Sequence, residues 1–308
     1  MKRNYSQMMT VDEYFLLSEK RLDTAGRFST SRNYRKAQKS FSLFLDGESL
    51  QLAEMSDEVV TAYNRYLENR GVVRNTRSFY NRILRSVYNK AVSEGYAPEN
   101  VRLFENVYTG VDKTHKRALD STTLRDIKEM DLQGEEELSL TRDLFLFSFY
   151  ARGMCFVDMA YLRKLNIRGP MISYVRRKTG KRLTLRVEHC MEQIIQRYAG
   201  KSFGDYVFPI IRSDKPAEAF KDYNYQLCRY NLMLKEIGCR AGLAYPLNSY
   251  AARHSWATMA QTADIPLSII SAGMGHTSEK TTRIYLAELN NAVIDEANRS
   301  VIGFLVDG

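Results

Sequence analysis

The sequence contains no stretch of about 18 uninterrupted apolar residues, and this absence excludes a transmembrane helix. The amino terminus has a basic start, but Asp12, Glu13 and Glu19 interrupt its apolar run, which is not the pattern of a secretory signal. Cysteine is scarce, and the four cysteines form no CxxC pair, so neither a zinc site nor a disulfide framework is indicated. These absences predict a globular protein of the reducing cytoplasm that binds no membrane.

What the chain does have is an excess of positive charge. Its 308 residues include 45 Lys and Arg against 36 Asp and Glu, which gives a net charge of +9 and a pI near 9.2. A basic protein of this kind suits a nucleic-acid partner, although net charge alone carries no information on specificity.

The basic residues are concentrated between Val60 and Lys90, where seven of them accompany one acid, Glu68. Such a cluster is either a solvated helix face or a phosphate-binding surface, and the scarcity of acids favours the second. The residues of this stretch that we predict to contact DNA are Arg65, Arg74, Arg77, Arg82, Arg85 and Lys90.

Hydrophobic periodicity predicts helices throughout the first hundred residues. Apolar residues recur at three- and four-residue spacing within Ser29–Phe44, Asp57–Glu68 and Asn75–Glu94. The turn formers and basic residues that follow read as a linker over 99–117, so we expect a helical domain over 1–98 and a second domain over 118–308.

The second part combines helices with two short strands. Met171–Arg176 and Arg182–Val187 alternate in polarity around a turn that contains glycine, which predicts a β-hairpin. The other elements predicted are a helix start at Ser121–Met130, a strongly apolar stretch over Leu138–Leu165, and helices at Val187–Ala199, Ala217–Ala241, Leu247–Thr262, Pro266–Met274 and from Lys280. The predicted fold is therefore mainly α, with one small antiparallel β-sheet.

Three short motifs in the second part carry chemistry. The first places Tyr250 three residues before Arg253-His254, the second is Met274-Gly275-His276, and the third ends at Tyr285, nine residues after His276. Each alone is weak, because an Arg-His pair, a Gly-His loop or a tyrosine is usually structural. Their order and spacing, together with a basic hairpin upstream, make the combination far more informative than any one motif.

In these motifs the chain resembles the tyrosine recombinase (phage integrase) family, and the basic helical part resembles that family's SAM-like core-binding domain. The resemblance implies cleavage of DNA by Tyr285, with Arg253 clamping the phosphate and His276 donating to it or assisting the nucleophile. Lys178, in the hairpin turn, matches the lysine that donates a proton in the family. The alternative is that Lys178 is only an exposed surface lysine. Lys181, across the turn, is the other candidate donor. The bond energy stays in the phosphotyrosine, so the resemblance implies no cofactor and no metal.

The sequence departs from the family pattern at two positions. Cys155 stands where the family has its first arginine, and a thiol cannot clamp a phosphate. Arg176, which strand periodicity places on the same face as Lys178, and Arg152, near the same helix entrance, are the candidate replacements, and we favour Arg176. A catalytic role for the thiol of Cys155 is a third interpretation.

The second departure is Tyr250, which replaces the family's His or Lys. It either positions the phosphate or is a packed residue.

The resemblance also implies partners. These are duplex DNA with short inverted-repeat sites, three further copies of the chain in a homotetrameric synapse, and an accessory DNA-bending protein. In lacking the first arginine, the chain resembles a subgroup of Bacteroides-type integrases and invertases. This resemblance implies a bacterial protein associated with the nucleoid. The helices begin early, which leaves no room for an arm-binding domain and favours a simple recombinase: a DNA invertase first, with a small-element integrase or resolvase as the alternative. An apolar stripe over Val293–Leu305 fits either the packing of a neighbouring protomer or the chain's own core.

Two rival functions remain open at this point. A nicking-closing enzyme of the topoisomerase IB type shares the chemistry without exchanging strands. A degenerate scaffold that only binds DNA would account for Cys155 and Tyr250, but it has no need of Tyr285.

Overall fold

The structure is a computed structural model of the chain, and it describes residues 9–112, 117–276 and 278–283. Tertiary contacts divide the chain into two compact units, Met1–Thr114 and His115–Gly308. The described residues are mainly helical with one small antiparallel sheet, so the predicted fold class is confirmed.

Within residues 9–112, the amino-terminal unit is built on a helical bundle. Its helices are α1 (Val11–Thr24), α2 (Phe28–Leu45), α3 (Asp57–Asn69) and α4 (Arg74–Ser93). The side chains of Thr10 and Ser56 accept from backbone amides in the first turns of α1 and α3, which fixes where these helices begin. The predicted apolar faces are buried, and aromatic rings such as Phe41 and Tyr63, with centroids 5.0 Å apart, fill the core between the helices.

Residues 99–112, predicted as part of the linker, belong to this unit. Leu103, Phe104 and Val107 are buried in its core. The linker was predicted from turn formers and basic residues, whereas these three apolar side chains are spaced three and four residues apart, as on one face of a helix. Their burial depends on tertiary contacts.

The extended segment 108–112 is bound along one face of α4. Three α4 side chains, at positions 75, 78 and 81, donate to backbone carbonyls of alternate residues in the segment. The pairs are Asn75 with Asp112, Ser78 with Gly110, and Asn81 with Tyr108. Side chains three residues apart on α4 therefore meet carbonyls two residues apart in the segment.

The carboxy-terminal unit contains further helices and all three strands of the described sheet. The helices are α5 (Ser121–Glu129), α6 (Glu136–Tyr150), α7 (Phe156–Ala160), α8 (His189–Tyr198), α9 (Pro216–Arg240), α10 (Ala251–Thr262), α11 (Leu267–Met274) and α12 (Glu279–Arg283). The strands are β1 (Ile167–Arg168), β2 (Met171–Val175) and β3 (Arg182–Arg186). The apolar stretch Leu138–Leu165 is divided between α6 and α7 by a turn at Arg152 and Gly153, whose φ angles are 58° and 72°.

The predicted hairpin is confirmed as β2 and β3, in a sheet of order β1-β2-β3 with antiparallel pairing throughout. Ile172, Tyr174 and Leu185 face the core of the unit. The Arg176 amide donates to the Lys181 carbonyl, which closes the hairpin one residue beyond the strands. No helix of the described ranges is both long and apolar enough to cross a membrane.

Candidate active site

Arg253, in the first turn of α10, lies at the centre of a buried polar cluster in the carboxy-terminal unit. Only 3% of the residue is exposed. Its guanidinium donates to the carbonyls of Gly153 and Met274, each at 2.7 Å, and to Nε2 of His276 at 2.8 Å. The arginine and histidine of two separate motifs are therefore in direct contact.

Gly153 allows the turn before α7 to lie directly against Arg253. Its φ is +72°, and a Cβ added there would lie 2.7 Å from Cγ and 2.8 Å from Cα of Arg253. The turn is held from the other side by Ser148, whose hydroxyl donates to the Met154 carbonyl at 2.7 Å. A residue with a side chain at position 153 would displace the arginine.

Three consecutive carbonyls at the end of α11 accept hydrogen bonds from three cationic side chains. Met274 accepts from Arg253 at 2.7 Å, Gly275 from Arg176 at 2.9 Å, and His276 from Lys181 at 3.2 Å. We call this backbone stretch the 274–276 carbonyl row. The carboxyl end of a helix carries partial negative charge, so it stabilises the cluster of cations.

Arg176 follows β2 and is 5% exposed. Its guanidinium lies 3.7 Å from Sγ of Cys155, and its Nε lies 3.8 Å from the Asp158 carboxylate. That carboxylate also accepts from the Arg177 amide at 2.9 Å. Burial raises the pKa of Asp158, while these donors and cations act in the opposite direction. Asp158 therefore secures the hairpin end that carries Arg176.

His276 is held in one tautomer by its partners. A guanidinium cannot accept a hydrogen bond, so the contact from Arg253 makes Nε2 the acceptor. The proton of the neutral ring is then on Nδ1, which lies 2.8 Å from the Thr282 hydroxyl. Burial and the nearby cations, Arg253 first among them, lower the pKa of His276 to about 4. His276 is therefore neutral at physiological pH.

Both hairpin lysines lie near the cluster. Lys181 donates to the 274–276 carbonyl row, and the charge of Lys178 contributes to the lowered pKa of His276. Both residues are exposed, which suits a group that meets DNA from solvent. The structure thus brings both lysine candidates to one place.

Tyr250 precedes α10 and lines a groove together with Cys155 and Arg253. It is 45% exposed, so it is not a packed core residue.

Arg152 lies beside α11, where a Cβ added to Gly273 would be 3.6 Å from the Cδ of Arg152. Within the described residues, the Arg152 side chain makes no hydrogen bond to the cluster, whereas Arg176 is bonded into it.

The structure does not indicate a metal centre. Within the described ranges, no group of three or more His, Cys, Asp or Glu side chains is arranged to hold an ion.

The basic residues predicted to contact DNA lie on α3 and α4 of the amino-terminal unit. Arg65, Arg82, Arg85 and Lys90 are exposed. The charges of the remaining two, Arg74 and Arg77, are partly neutralised. Arg74 lies 3.5 Å from Asp112, and Arg77 is paired with Glu68. Further tertiary contacts involve Arg85 with Thr109 and Lys90 with Tyr34. The sequence count of one acid missed Asp112, which reaches α4 only through the fold.

Two family profiles match the chain. Residues 11–106 match the phage integrase SAM-like domain, and residues 134–291 match the phage integrase family. The second match alone covers just over half of the chain.

The chain belongs to the phage integrase family of tyrosine recombinases.

Solved structures agree with this assignment at the level of the fold. A lambda integrase (75–356) dimer bound to a COC′ core site has 15% identity and a TM-score of 0.65, covering 90% of this chain and 95% of that one. A lambda integrase tetramer bound to a Holliday junction has 13% identity and a TM-score of 0.65, covering 92% and 79%. A fragment of the Tn1549 transposon integrase (aa 82–397) in complex with a circular intermediate DNA has 14% identity and a TM-score of 0.62, covering 95% of this chain and 99% of that fragment. No curated protein matches the sequence.

The resemblance drawn from the motifs is thus confirmed for the family, while the Bacteroides-type subgroup stays a prediction. Two predictions on this recombinase fall outside the described residues. They are the nucleophile Tyr285 and the apolar stripe over Val293–Leu305.

Sequence reasoning missed two contributors to the cluster of this recombinase. Thr282 bonds to His276 six residues away, and the motif containing Tyr285 offered two adjacent threonines without distinguishing them. Gly153 lies two residues before Cys155, and no sequence motif singles it out. Its contact with Arg253 joins residues 100 positions apart, so no local pattern could have shown it.

Proposed function

We propose that this protein is a site-specific DNA recombinase that cleaves and rejoins duplex DNA through a transient 3′-phosphotyrosyl link. The observation that carries the proposal is the convergence of Arg253, Arg176 and Lys181 on the 274–276 carbonyl row. Cationic donors gathered at one place suit an anion with several oxygens, such as a DNA phosphate whose charge grows during attack. Tyr285 follows His276 by nine residues, which is the family's spacing for the nucleophile.

In the proposed reaction, the phenolic oxygen of Tyr285 forms a bond to phosphorus, and the bond from phosphorus to the 5′ oxygen breaks. The electron pair of the broken bond stays on the 5′ oxygen, which takes a proton from Lys178 or Lys181. Arg253 and Arg176 donate to the nonbridging oxygens. When Arg253 donates to the phosphate in place of the imidazole, Nε2 of the neutral His276 is available to accept the phenolic proton. Rejoining is the reverse attack by a 5′ hydroxyl.

Arg176 takes the place of the arginine that the family has at position 155. The support for this role is its guanidinium, which lies 3.7 Å from the Cys155 thiol and shares the cluster with Arg253 and His276. Arg152 has no such contact among the described residues, and a catalytic role for the Cys155 thiol is not needed once an arginine fills the position.

The partners follow from the family and from what related structures hold. The lambda and Tn1549 integrases were solved on DNA, one of them as a tetramer on a Holliday junction. By analogy, this chain acts on duplex sites with short inverted repeats, as a tetramer during exchange. The SAM-like match over 11–106 supports a core-binding role for the amino-terminal domain. The biological outcome is either inversion or the movement of a small element.

Covalent capture tests the proposal. The purified chain is incubated in EDTA with the DNA flanking its own gene, quenched with denaturant, and examined for protein joined to DNA. We expect an adduct with the wild type and with Tyr225→Phe, a control at an exposed tyrosine of α9, and no adduct with Tyr285→Phe. Binding without any adduct, even on nicked substrates that trap the intermediate, would favour the degenerate scaffold. Relaxation of any plasmid, without site dependence, would favour the topoisomerase reading.

The role of Arg176 is tested by a matched pair of variants. Arg176→Ala should slow adduct formation by about 100- to 1,000-fold, the usual loss when one donor to a developing oxyanion is removed. Arg152→Gly removes the competing side chain and also relieves its φ of 58°, so it should leave the rate within about twofold. The opposite order of effects would assign the role to Arg152.

The proton donor is identified by changing the leaving group. A substrate with sulfur in place of the bridging 5′ oxygen leaves as a thiolate and needs no proton. The lysine that acts as general acid should lose activity when replaced by alanine and regain it on this substrate. Comparing Lys178→Ala with Lys181→Ala decides between the two residues.

A further inference from the structure

The hairpin that carries Arg176 lies within a stretch of unusual composition. Between positions 163 and 187 there is no acidic residue, while nine residues are basic. They are Arg163, Lys164, Arg168, Arg176, Arg177, Lys178, Lys181, Arg182 and Arg186. An ordinary solvated surface mixes both signs of charge, so this stretch requires a separate explanation.

Strand register sorts these basic residues between the two faces of the sheet. Met171 pairs with both Arg168 and Arg186, and Val175 pairs with Arg182, so the three arginines share one face. All three are exposed. Ile172, Tyr174 and Arg176 belong to the opposite face, which is buried. We call Arg168, Arg182 and Arg186 the outer arginines.

Among the described residues, the outer arginines have no acidic partner, unlike other basic residues of the stretch. In this stretch Arg163 is paired with Asp214 and Arg176 lies near Asp158. Within the described residues, no acidic side chain comes within 4.0 Å of an outer arginine. The side chains between them are neutral, and they include the hydrogen-bonded pair Thr184 and Ser173. The face therefore presents three exposed arginines around a pair of hydroxyl groups, with the exposed apolar side chains of Met171 and Val175 beside them.

The dimensions of this face suit a DNA backbone. Arg182 and Arg186 are four residues apart on one strand, which is about 13 Å. A duplex carries one phosphate charge per about 1.7 Å of its axis, so a length of 13 Å presents about eight of them. An arginine fork also matches phosphate geometry better than a lysine does.

The position of the face decides which DNA it meets. The catalytic cluster is on the inner side of the hairpin, since a Cβ on Gly275 would touch the inward residues Leu183 and Arg176 at 2.8 Å and 3.0 Å. On the proposed function, the phosphate bound by Arg176 lies at the catalytic cluster, whereas the outer arginines project from the opposite face of the sheet. Recombination brings a second duplex next to the first.

We propose that the outer arginines bind the backbone of this second DNA segment, so that the hairpin has a catalytic face and a synaptic face. The proposal rests on the proposed function, because it assigns a role in strand exchange to the opposite side of the same hairpin.

The test separates cleavage of one duplex from pairing of two. The variant Arg168→Gln/Arg182→Gln/Arg186→Gln is compared with Arg125→Gln/Lys128→Gln/Lys221→Gln, which removes the same charge from exposed positions on α5 and α9. Adduct formation is measured on a nicked single-site duplex made from the DNA flanking the gene. Pairing is measured as capture of a second, differently labelled duplex by the protein–DNA complex, and exchange as recombinant product.

We expect the outer-arginine variant to form adduct within about twofold of the wild type, while pairing and recombinant product fall at least tenfold. The salt dependence of pairing should also weaken, by up to about three in the log–log slope, since each phosphate contact contributes about 0.9. The control variant should retain pairing.

Two results would overturn the proposal. If adduct formation falls in parallel with pairing, the face binds the cleaved duplex. If neither changes, it binds no DNA, and a protein partner or a second copy becomes the occupant to examine. If the wild type itself forms no adduct, the proposed function fails, but capture of the second duplex still tests the outer arginines independently.

Discussion

Gly153→Ala should reduce both the stability and the activity of this recombinase, because Gly153 combines a left-handed backbone with close contact to Arg253. Placing a side chain at a φ of +72° costs about 1–2 kcal/mol. The new Cβ would also lie 2.8 Å from the Cα of Arg253, a backbone atom that cannot rotate away. Relieving such overpacking adds about 1–3 kcal/mol. The free energy of unfolding should therefore fall by about 2–5 kcal/mol in total.

The chain provides a closely matched control. Gly242 also has a φ of +72°, but nothing lies within 4 Å of a Cβ added there. Gly242→Ala therefore measures the backbone cost alone, and the difference between the two variants isolates the contact with Arg253.

Denaturant unfolding can be followed by the fluorescence of Trp256, the single tryptophan of the chain, which lies on α10 three residues after Arg253. Moving the guanidinium by about 1 Å should also slow adduct formation by about 100-fold. Equal losses of stability in both variants, or an unchanged adduct rate in Gly153→Ala, would refute the reasoning.

Three further predictions concern His276, Ser255 and Ser78. Because the pKa of His276 is about 4 in the folded state against 6.5 for the ordinary side chain, the unfolded chain binds the extra proton between these values. The free energy of unfolding should therefore fall as pH drops from about 7 to 4, by up to about 3 kcal/mol, and His276→Gln should lack this part of the fall. Parallel pH profiles of the two proteins would contradict it. Ser255→Ala should lower stability by about 1–3 kcal/mol, because it leaves the buried Leu119 amide without its acceptor, and Trp256 fluorescence measures this directly. Ser78→Ala should loosen segment 108–112 from α4, so hydrogen exchange of the Asp112 amide should accelerate, while an unchanged rate would show that the other contacts suffice.

Local patterns predicted the elements well. The α2, α3 and α4 helices follow the three- and four-residue apolar spacing of their sequences to within a few residues. The hairpin follows from two alternating runs around a turn that contains glycine. These features depend on interactions between residues close in sequence, so a single chain contains the information for them.

The family assignment was also available from the sequence. It depends on the spacing between Arg253, His276 and Tyr285, which is a property of the chain and needs no coordinates. The profile matches confirmed it.

The tertiary structure decided which side chains share a site. Arg176 donates to Gly275, 99 residues away, and approaches the thiol of Cys155, while Arg152, only three residues from Cys155, lies elsewhere. Closeness to Cys155 in sequence therefore does not show which arginine lies near its thiol, because the direction of a side chain depends on the backbone turn that carries it. At Arg152 this turn has a positive φ, which sequence patterns do not reveal for a non-glycine residue.

The charge state of the site belongs to the fold as well. A histidine in a sequence has its ordinary pKa, and only burial beside Arg253, Arg176 and the hairpin lysines makes His276 a neutral group with a defined tautomer. The sequence by itself determined which helices and strands form and which family's motifs they carry. Only the tertiary structure decided which arginine joins the cluster, where segment 108–112 binds, and which face of the hairpin is exposed, because each of these depends on contacts between distant parts of the chain.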